Sequence, residues 1–540
     1  MKQTALQWFW TIPRRNGALV THRVRQTINR IAPLVRICGI TLSLVLLGVE
    51  TKAAVSVAKI FSDHMVLQRQ LPVPVWGTAT AGSEVSVTFA GKTLKTVAGA
   101  DGKWRAVLEP LEADATGREL RVLSGSDSAV IRDVLVGEVW FAGGQSNMQY
   151  TAGTMAKRLP AGEGFVASAN LPAVRFCRIQ ESAASEPRDD LTRAQWDPCT
   201  PQTAANHSAV ALVFARRLHL ELAVPVGVID SSVGGTPIEP YIPEEAFVGH
   251  PTLEKLRLLA RSGDKESIIA MPGGTYVRGD HWLAGRLYNG RIAPVVPYAI
   301  RGAVWYQGES NCGIGEDPRD YEFKLRALIT GWRAAWKRPD LPVYVVQLPQ
   351  WKSYAWPFLR EEQRRAVAGL NHTGLVVTID LDHGNDIHPP NKMDVGERLA
   401  RWPLAKIHGK SIAVQGPVFR SAEIRNGEII ASFENAEDGL MAGVHAAPGE
   451  PVKDSQRPDV SGCELCDEAG VWHPAEGRIS GNRLIVASPA VPRPVAVRYA
   501  CLPEAPEKRV WNLFGKSGLP AGPFCSDLKR MPYEPTKNPR

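Results

Sequence analysis

The sequence lacks a membrane-spanning apolar run, a complete set of metal ligands and an internal repeat. A spanning helix needs about 20 apolar residues, and the apolar run at 40–49 is shorter. Cys463 and Cys466 resemble half of a zinc site, but no second pair or histidine cluster completes it. A local disulfide or two free thiols is expected there instead, and we predict neither a metal nor another cofactor.

Most of the chain also lacks an excess of charge of one sign. The formal net charge is +8, but residues 1–54 hold eight Lys or Arg side chains and one acid. The rest of the chain is therefore close to neutral. Because the basic excess belongs to this N-terminal segment, it does not indicate an anionic partner, and we predict no binding of nucleic acid.

Residues 1–54 have the order of a secretory leader. Basic residues up to Arg36 precede the apolar run, and small residues follow at Ala53 and Ala54. This order predicts a signal peptide, export to the periplasm or the medium, and no stable membrane insertion after cleavage. An uncleaved anchor is the alternative. Cys38 would leave with the leader, and the seven cysteines that remain imply at least one free thiol or an intermolecular bond.

The rest of the chain divides into three parts by its hydrophobic pattern. Residues 56–133 have short runs rich in Val and Thr between turns, which is typical of a small β-sandwich. Residues 134–408 alternate apolar strands with amphipathic segments of helix length. This alternation predicts an α/β domain whose parallel sheet is covered by helices on both faces. Residues 409–540 return to short strands and predict a second β-rich domain.

Polar or glycine-rich sequences follow four of the predicted parallel strands, where ligands bind in open α/β sheets. The first has two glycines before Gln145, Ser146 and Asn147. The glycines allow a sharp turn that exposes the Ser146 hydroxyl, which is useful as a nucleophile only with a base and oxyanion donors nearby. A serine that caps the following helix is the alternative.

The second and third strand ends supply groups that suit an oxyanion. Gly234 and Gly235 can bring backbone N–H groups to an anion, although a simple glycine turn is the alternative. Gln307 has an amide donor, and Glu309 and Asn311 could orient its neighbours. Packing alone does not favour so many polar groups after an apolar strand, since unpaired buried ones are costly.

The fourth strand end supplies a base. His388 is followed by proline and a predicted helix, which would hold its imidazole over the sheet edge, and His383 is interpreted as a solvated loop histidine. An adjacent carboxylate would fix the tautomer of His388 and stabilise the imidazolium. The four strand ends together hold a nucleophile, two oxyanion elements and a base, so acyl transfer is the predicted reaction.

These blocks resemble the SGNH hydrolases, and specifically their sialate O-acetylesterase-like branch. The segments at 61–69, 75–77, 287–294, 386–398 and 512–521 continue the resemblance over most of 57–527. It implies a flavodoxin-like three-layer α/β/α domain flanked by β-sandwich-type domains. It also implies metal-free removal of acetyl groups from sugars, such as a sialate 9-O-acetyl group or an acetylated plant or bacterial glycan. The alternatives are a non-catalytic or weakly active carbohydrate-binding protein and another SGNH esterase or lipase.

The resemblance also implies residue roles. Ser146 would be the nucleophile and His388 the general base. The N–H groups of Ser146 and Gly235 would form the oxyanion hole with help from the Gln307 side chain. Residues expected to support the site or bind substrate are Gln145, Asn147, Gly234, Glu309, Asn311 and Asn289.

The triad acid is the position where the sequence departs from the family pattern. Many SGNH enzymes place it three residues before the histidine, where this chain has Asn385. We assign the role to Asp386, with Asp382, Asp380 or a Ser–His dyad as alternatives. Cys501 and Cys525 stand where the resemblance implies Trp and Arg, and a disulfide between them is one interpretation of that change.

Overall fold

The computed structural model describes residues 54–262, 282–313, 316–381, 386–502 and 511–537. The predicted leader therefore lies outside the described residues except for Ala54, and so do Asp382, His383 and Asn385. No helix in the described ranges has the length and apolar character needed to cross a membrane.

The first part of the chain is built from strands whose side chains alternate between core and solvent. In the strand Lys103–Leu108, Trp104, Ala106 and Leu108 are buried and the residues between them are exposed, as expected for a sheet with one covered face. One sheet has the strand order β1-β3-β6, and a second joins β4, β5, β7, β2 and β8. The strands are β1 (Ser56–Val57), β2 (Val66–Gln68), β3 (Val73–Thr78), β4 (Glu84–Phe89), β5 (Lys92–Val97), β6 (Lys103–Leu108), β7 (Asp114–Ser124) and β8 (Asp127–Gly144).

Strand β8 is long and pairs both with strands of the N-terminal β part and with strands of the central sheet. Its first half pairs with β7 and β2, and its second half, from Glu138, pairs with two parallel strands of the central sheet. The predicted boundary between 133 and 134 falls inside this strand. Asp133 has φ +53°, a left-handed conformation that is uncommon for a residue other than glycine.

The central sheet is parallel except for one edge strand. Its order is β10-β9-β11-β8-β12-β13-β14, and only β10 runs antiparallel to its neighbour. The strands after β8 are β9 (Leu171–Arg178), β10 (Trp196–Cys199), β11 (Val226–Asp230), β12 (Gly302–Tyr306), β13 (Val343–Val346) and β14 (Thr373–Val376).

Helices cover both faces of this sheet. Trp140 packs into the core shared with the helices Ala209–Leu222 and Lys392–Lys406, whereas the adjacent Phe141 packs into the core shared with Tyr321–Ala335 and Trp356–Ala368. The predicted three-layer α/β arrangement is therefore confirmed. Further helices are Ser146–Gln149, Ala152–Arg158, Pro160–Ala167, Pro201–Ala204 and Pro251–Ser262; the short 3-10 or π turns are Glu239–Tyr241, Glu244–Phe247, Tyr288–Ile292, Glu309–Cys312, Pro318–Asp320, Leu528–Arg530 and Pro535–Lys537.

The C-terminal part is antiparallel throughout its two sheets. A seven-stranded sheet has the order β15-β16-β21-β20-β19-β22-β24, and a three-stranded sheet has the order β18-β17-β23. Its strands are β15 (Val418–Arg425), β16 (Glu428–Glu434), β17 (Leu440–Val444), β18 (Lys453–Asp454), β19 (Asp459–Cys466), β20 (Trp472–Ser480), β21 (Arg483–Ala487), β22 (Ala496–Tyr499), β23 (Leu513–Gly515) and β24 (Phe524–Cys525).

Cys501 and Cys525 are not joined by a disulfide, so that interpretation is wrong for this structure. The Cys501 thiol donates to the carbonyl of Phe524 at 3.3 Å, and the Cys525 thiol donates to that of Asp527 at 3.3 Å. Burial raises the pKa of Cys525 to about 11, which keeps its sulfur protonated at neutral pH. Cys463 and Cys466 are unpaired as well.

Candidate active site

Ser146 and His388 meet at the carboxyl end of the sheet. Strand β8 ends at Gly144, where a Cβ atom would lie 2.1 Å from the carbonyl oxygen of Tyr306, so only glycine fits the turn that leads to Ser146. Ser146 then begins a short helix. Its Oγ lies 2.7 Å from Nε2 of His388, which is 242 positions away in sequence. The structure thus brings the predicted nucleophile and base into hydrogen-bond contact.

The environment of His388 favours its neutral form. Burial lowers its pKa first, the Lys392 ammonium lowers it further, and the Asp386 carboxylate opposes both. A neutral imidazole with its proton on Nδ1 has a free lone pair on Nε2. In that tautomer His388 accepts the hydrogen bond from the Ser146 hydroxyl, which is the arrangement that a general base requires.

Asp386 contacts the backbone of His388. Its Oδ1 accepts the His388 backbone N–H at 2.8 Å, and its Oδ2 forms an ion pair with Arg158. Arg158 also donates to the His388 carbonyl at 3.3 Å. These contacts fix the loop that carries the imidazole, while the role of Asp386 as the acid behind the ring stays a prediction. Arg158 ends the helix Ala152–Arg158 and carries no motif that would have singled it out.

Asp380, which could also have served as the acid, is held elsewhere. Arg398 binds both of its carboxylate oxygens, at 2.8 and 2.6 Å, and His445 Nε2 lies 2.7 Å from Oδ2. Burial alone would raise the pKa of Asp380, but the Arg398 charge and the hydrogen bonds from Arg398 and His445 lower it to about 2. Asp380 is therefore an ionised, buried partner of Arg398. The carboxylate of Asp382 lies outside the described residues, so its role as the acid stays a prediction.

The loop with Gly234 and Gly235 lies directly against the nucleophile. A Cβ at Gly234 would come 3.6 Å from that of Ser146, and the Gly234 N–H donates to the side-chain oxygen of Gln149 at 3.0 Å. Gly235 has φ +72°, is exposed, and would place a Cβ in open space. Because the first N–H groups of a helix have no intrahelical acceptor, the N–H of Ser146 is a second donor at this position. The role of Ser146 and Gly235 as oxyanion donors stays a prediction.

Gln307 is buried among internal acceptors. Its amide nitrogen lies 3.0 Å from Gln145 Oε1, 2.9 Å from Asn311 Oδ1 and 3.1 Å from the Thr236 carbonyl. The two N–H bonds of the Gln307 amide therefore have three possible acceptors inside the protein. Its Oε1 accepts the hydroxyl of Tyr321 at 2.7 Å. Gln307 therefore ties together the loops that carry Ser146 and Gly235, and its direct donation to an oxyanion stays a prediction.

Asn147 connects the serine loop to the histidine loop. Its Nδ2 donates to the Ile387 carbonyl at 2.9 Å and to Glu309 Oε1. Its Oδ1 accepts from the Lys392 ammonium. Since Asn147 follows Ser146 and Ile387 precedes His388, one buried amide fixes the two loops relative to each other. Burial raises the pKa of Glu309 to about 6.

Lys392 is a buried cation beneath the site. Its side chain is fully buried, and its ammonium lies 5.1 Å from the ring centroid of Tyr150 and 5.3 Å from that of Tyr306, close enough for cation–π attraction. Lys392 lies in the 386–398 segment that carries the family resemblance, but its residue type predicted no role for it. Its position explains part of the lowered pKa of His388.

Of the two remaining residues predicted to support the site, Asn311 and Asn289, only Asn311 has contacts that do so. The Asn311 amide donates to the Glu239 carboxylate at 3.1 and 3.2 Å, and its oxygen accepts the Ile238 N–H at 3.0 Å, so it supports the segment after Gly235. Asn289 donates to the Ser185 carbonyl at 2.9 Å, and none of its described contacts is with Ser146 or His388.

Among the described residues, no three His, Cys, Asp or Glu side chains group closely enough to hold a metal ion.

Comparison with known proteins identifies the family. The family described as carbohydrate esterase, sialic acid-specific acetylesterase, matches residues 136–404, a range that holds both Ser146 and His388. Rat sialate O-acetylesterase is 28% identical in an alignment that covers 91% of this chain and 98% of the rat protein. The human sialate O-acetylesterase is 27% identical in an alignment that covers 87% of this chain and 92% of the human protein.

A solved structure is similar over the same span. A carbohydrate acetylesterase from Xanthomonas citri is 31% identical and superimposes with a TM-score of 0.74, covering 88% of this chain and 99% of that protein. The resemblance found in the sequence motifs is thereby confirmed. The chain belongs to the sialic acid-specific acetylesterase family of carbohydrate esterases.

Proposed function

We propose that this chain removes O-acetyl groups from sugars through an acetyl-enzyme on Ser146, with His388 as the general base. The substrate would be a sialate 9-O-acetyl group or an acetylated plant or bacterial glycan. The observation that carries the proposal is the 2.7 Å contact between Ser146 Oγ and His388 Nε2, beside an exposed glycine loop. The N-terminal leader supports export, so we place the enzyme in the periplasm or the medium.

In the first half-reaction, Ser146 Oγ attacks the acetyl carbonyl carbon while His388 Nε2 takes the hydroxyl proton. The carbonyl oxygen becomes an oxyanion, and the N–H groups of Ser146 and Gly235 stabilise it. The intermediate collapses when His388 returns the proton to the sugar oxygen. The C–O bond to the sugar breaks, the free hydroxyl leaves, and the acetyl group stays on Ser146.

In the second half-reaction, water replaces the sugar. His388 takes a proton from water as its oxygen attacks the acetyl carbon, and the same N–H groups hold the second oxyanion. Return of the proton to Ser146 Oγ releases acetate and restores the free enzyme. The lowered pKa of His388 supports this cycle, because the imidazole starts each half-reaction without a proton on Nε2.

The test is acetate release from O-acetylated sialic acid, acetyl-xylan and acetylated xyloglucan, with Ser146→Ala beside the wild type. We expect kcat to fall about a thousandfold or more in this variant. Ser168→Ala is the matched control, because this exposed serine makes its hydrogen bond with Phe165 in the adjoining helix. It should keep full activity.

The outcomes separate the candidate functions. Undiminished release by Ser146→Ala removes the serine from its role. No release from the three acetylated substrates favours a carbohydrate-binding protein, and release only from lipid or thioester substrates favours another SGNH esterase. Asp386→Ala, Asp382→Ala and Asn385→Ala locate the acid in the same assay. A full kcat in Asp386→Ala would show that our assignment of the acid is wrong.

A further inference from the structure

One short segment of the C-terminal β part contacts the chain on both sides of His388. His445 follows strand β17 and binds Asp380, which precedes His388 by eight residues. Gly449 binds Asp394, which follows His388 by six residues. Residues 445–449, which we call the bracket segment, thus hold the chain before and after the catalytic histidine.

The first contact closes a buried ionic cluster. His445 Nε2 lies 2.7 Å from Asp380 Oδ2, the oxygen that also accepts from Arg398 at 2.6 Å. Arg398 belongs to the helix Lys392–Lys406, which begins directly after the histidine loop. Asp380, which lies before His388, is therefore bonded to Arg398 in the helix that follows His388. His445, which belongs to the C-terminal β part, adds a further bond to the same carboxylate. Among the described residues, Asp394 also faces the ring, with its Oδ2 3.9 Å from Nδ1.

The second contact acts on the first turn of that helix. The Gly449 N–H donates to Asp394 Oδ1 at 3.1 Å, while Asp394 Oδ2 accepts from the cap residue Asn391 at 2.6 Å. Gly449 has φ +82°, and a Cβ there would lie 3.0 Å from the Met393 methyl carbon. The left-handed φ favours glycine at this position, and a side chain there would also have to displace the Met393 methyl group.

We propose that His445 is a positioning residue for the esterase reaction, so that the C-terminal β part completes the catalytic site by holding the segment that presents His388. The inference rests on the function proposed above. Its physical basis is that catalysis is sensitive to displacement: a misplacement of about 1 Å can lower a rate about a hundredfold. The bracket segment touches neither Ser146 nor His388 in the described contacts, and it acts through Asp380 and Asp394.

Two variants separate the hydrogen bond from ring packing. His445→Phe keeps a ring against Phe514, whose centroid is 5.8 Å away, but removes the N–H. His445→Gln removes the ring but can place an amide N–H near the position of Nε2. We expect His445→Phe to lower kcat about tenfold with KM nearly unchanged, and His445→Gln to recover most of the loss.

The matched control is His473→Phe. His473 also lies in the C-terminal part and also pairs through Nε2 with an aspartate, Asp467, at 2.9 Å, but that carboxylate belongs to the same hairpin and not to the histidine loop. The control should keep the kcat of the wild type. Circular dichroism and Tm of each variant establish that it is folded at the assay temperature.

The possible results are distinct for the two proposals. A wild type without esterase activity refutes the proposed function and this inference with it. An active wild type whose folded His445→Phe variant keeps full kcat overturns the inference alone. Equal losses in His445→Phe and His473→Phe also overturn it, since they would reflect a general effect on the C-terminal part. If His445→Phe does not fold, His445→Leu replaces it, with His473→Leu as its control. A lower kcat in His445→Leu than in His473→Leu with an unchanged KM supports the inference, and an equal kcat refutes it.

Discussion

Asn147 offers the most direct test of how the two catalytic loops are held together. In Asn147→Ala the carbonyl of Ile387, the Glu309 carboxyl and the Lys392 ammonium each lose a partner. A buried polar group without its partner costs about 1–3 kcal/mol, more for a charged one. Lys392 keeps its two aromatic neighbours, which offsets part of the loss. We therefore expect the free energy of unfolding to fall by about 3 kcal/mol.

The same substitution should lower activity for a different reason. Without the Asn147 amide, nothing in this bridge fixes Ile387, and the adjacent His388 can shift relative to Ser146. A shift of about 1 Å typically costs about a hundredfold in rate, which corresponds to about 2.7 kcal/mol of activation free energy. We expect kcat for acetate release to fall by that factor, with a smaller change in KM.

Glu464→Gln is the matched control for stability. Glu464 is a buried carboxylate in the C-terminal sheet that binds Arg498 at 2.7 and 2.9 Å, and breaking such a pair costs about 3–5 kcal/mol. Urea unfolding measures both losses, and acetate release is measured well below both transitions. The reasoning is wrong if Asn147→Ala keeps the kcat of the wild type, or if Glu464→Gln loses activity to the same extent.

Two further predictions follow from the charges around the site. Lys392→Met should move the acid limb of the kcat/KM profile to higher pH, because the ammonium lowers the pKa of His388 and activity is lost as the pH falls through that pKa; Lys352→Met, which removes a lysine 5.6 Å from the Trp351 ring centroid, should leave the limb in place. Asp380→Asn should remove about 2 kcal/mol of stability that the pKa of about 2 of Asp380 provides at pH 7. A lowered carboxyl pKa stabilises the fold above about pH 4 and ceases to do so towards pH 2, so the free energy of unfolding, measured with urea, should fall more over that range in the wild type than in the variant.

The fold could be predicted for segments whose hydrophobic pattern shows which residues are buried. Strand β8 from Val134 onwards, and β12 and β13 along their whole length, are buried because both faces of the sheet are covered, and this is the pattern of a parallel sheet. The boundary at 133–134 marks a change of burial within one strand. Strand β8 is partly exposed before Val134 and buried after it, and Asp133 has a left-handed φ. The hydrophobic pattern shows this change, but it does not show that the strand continues through it.

Residues of the candidate site could be predicted where the backbone has a conformation that favours glycine. Gly144 and Gly235 need φ values that favour glycine. Their positions in the sequence therefore indicated the loop of the predicted nucleophile and the loop of the predicted oxyanion donor. Arg158 and His445 carry no such mark, because they reach the site only through long-range contacts. Gln307 was recognised, but its neighbours Thr236 and Tyr321, which occupy its amide, could not be identified without the fold.

The two proposed catalytic residues depend on the rest of the chain in different ways. Ser146 is positioned by its own strand: Gly144 leaves no room for a side chain before it, and the helix begins at the serine. His388 depends on contacts to the chain around it. Arg158 bonds its carbonyl, while Asn147, Arg398 and the bracket segment bond Ile387, Asp380 and Asp394 on either side of it. Substitutions far from His388 in sequence should therefore act on catalysis through the general base, while the serine keeps its place. Loss of kcat without loss of the Ser146 geometry is the signature that such variants should share.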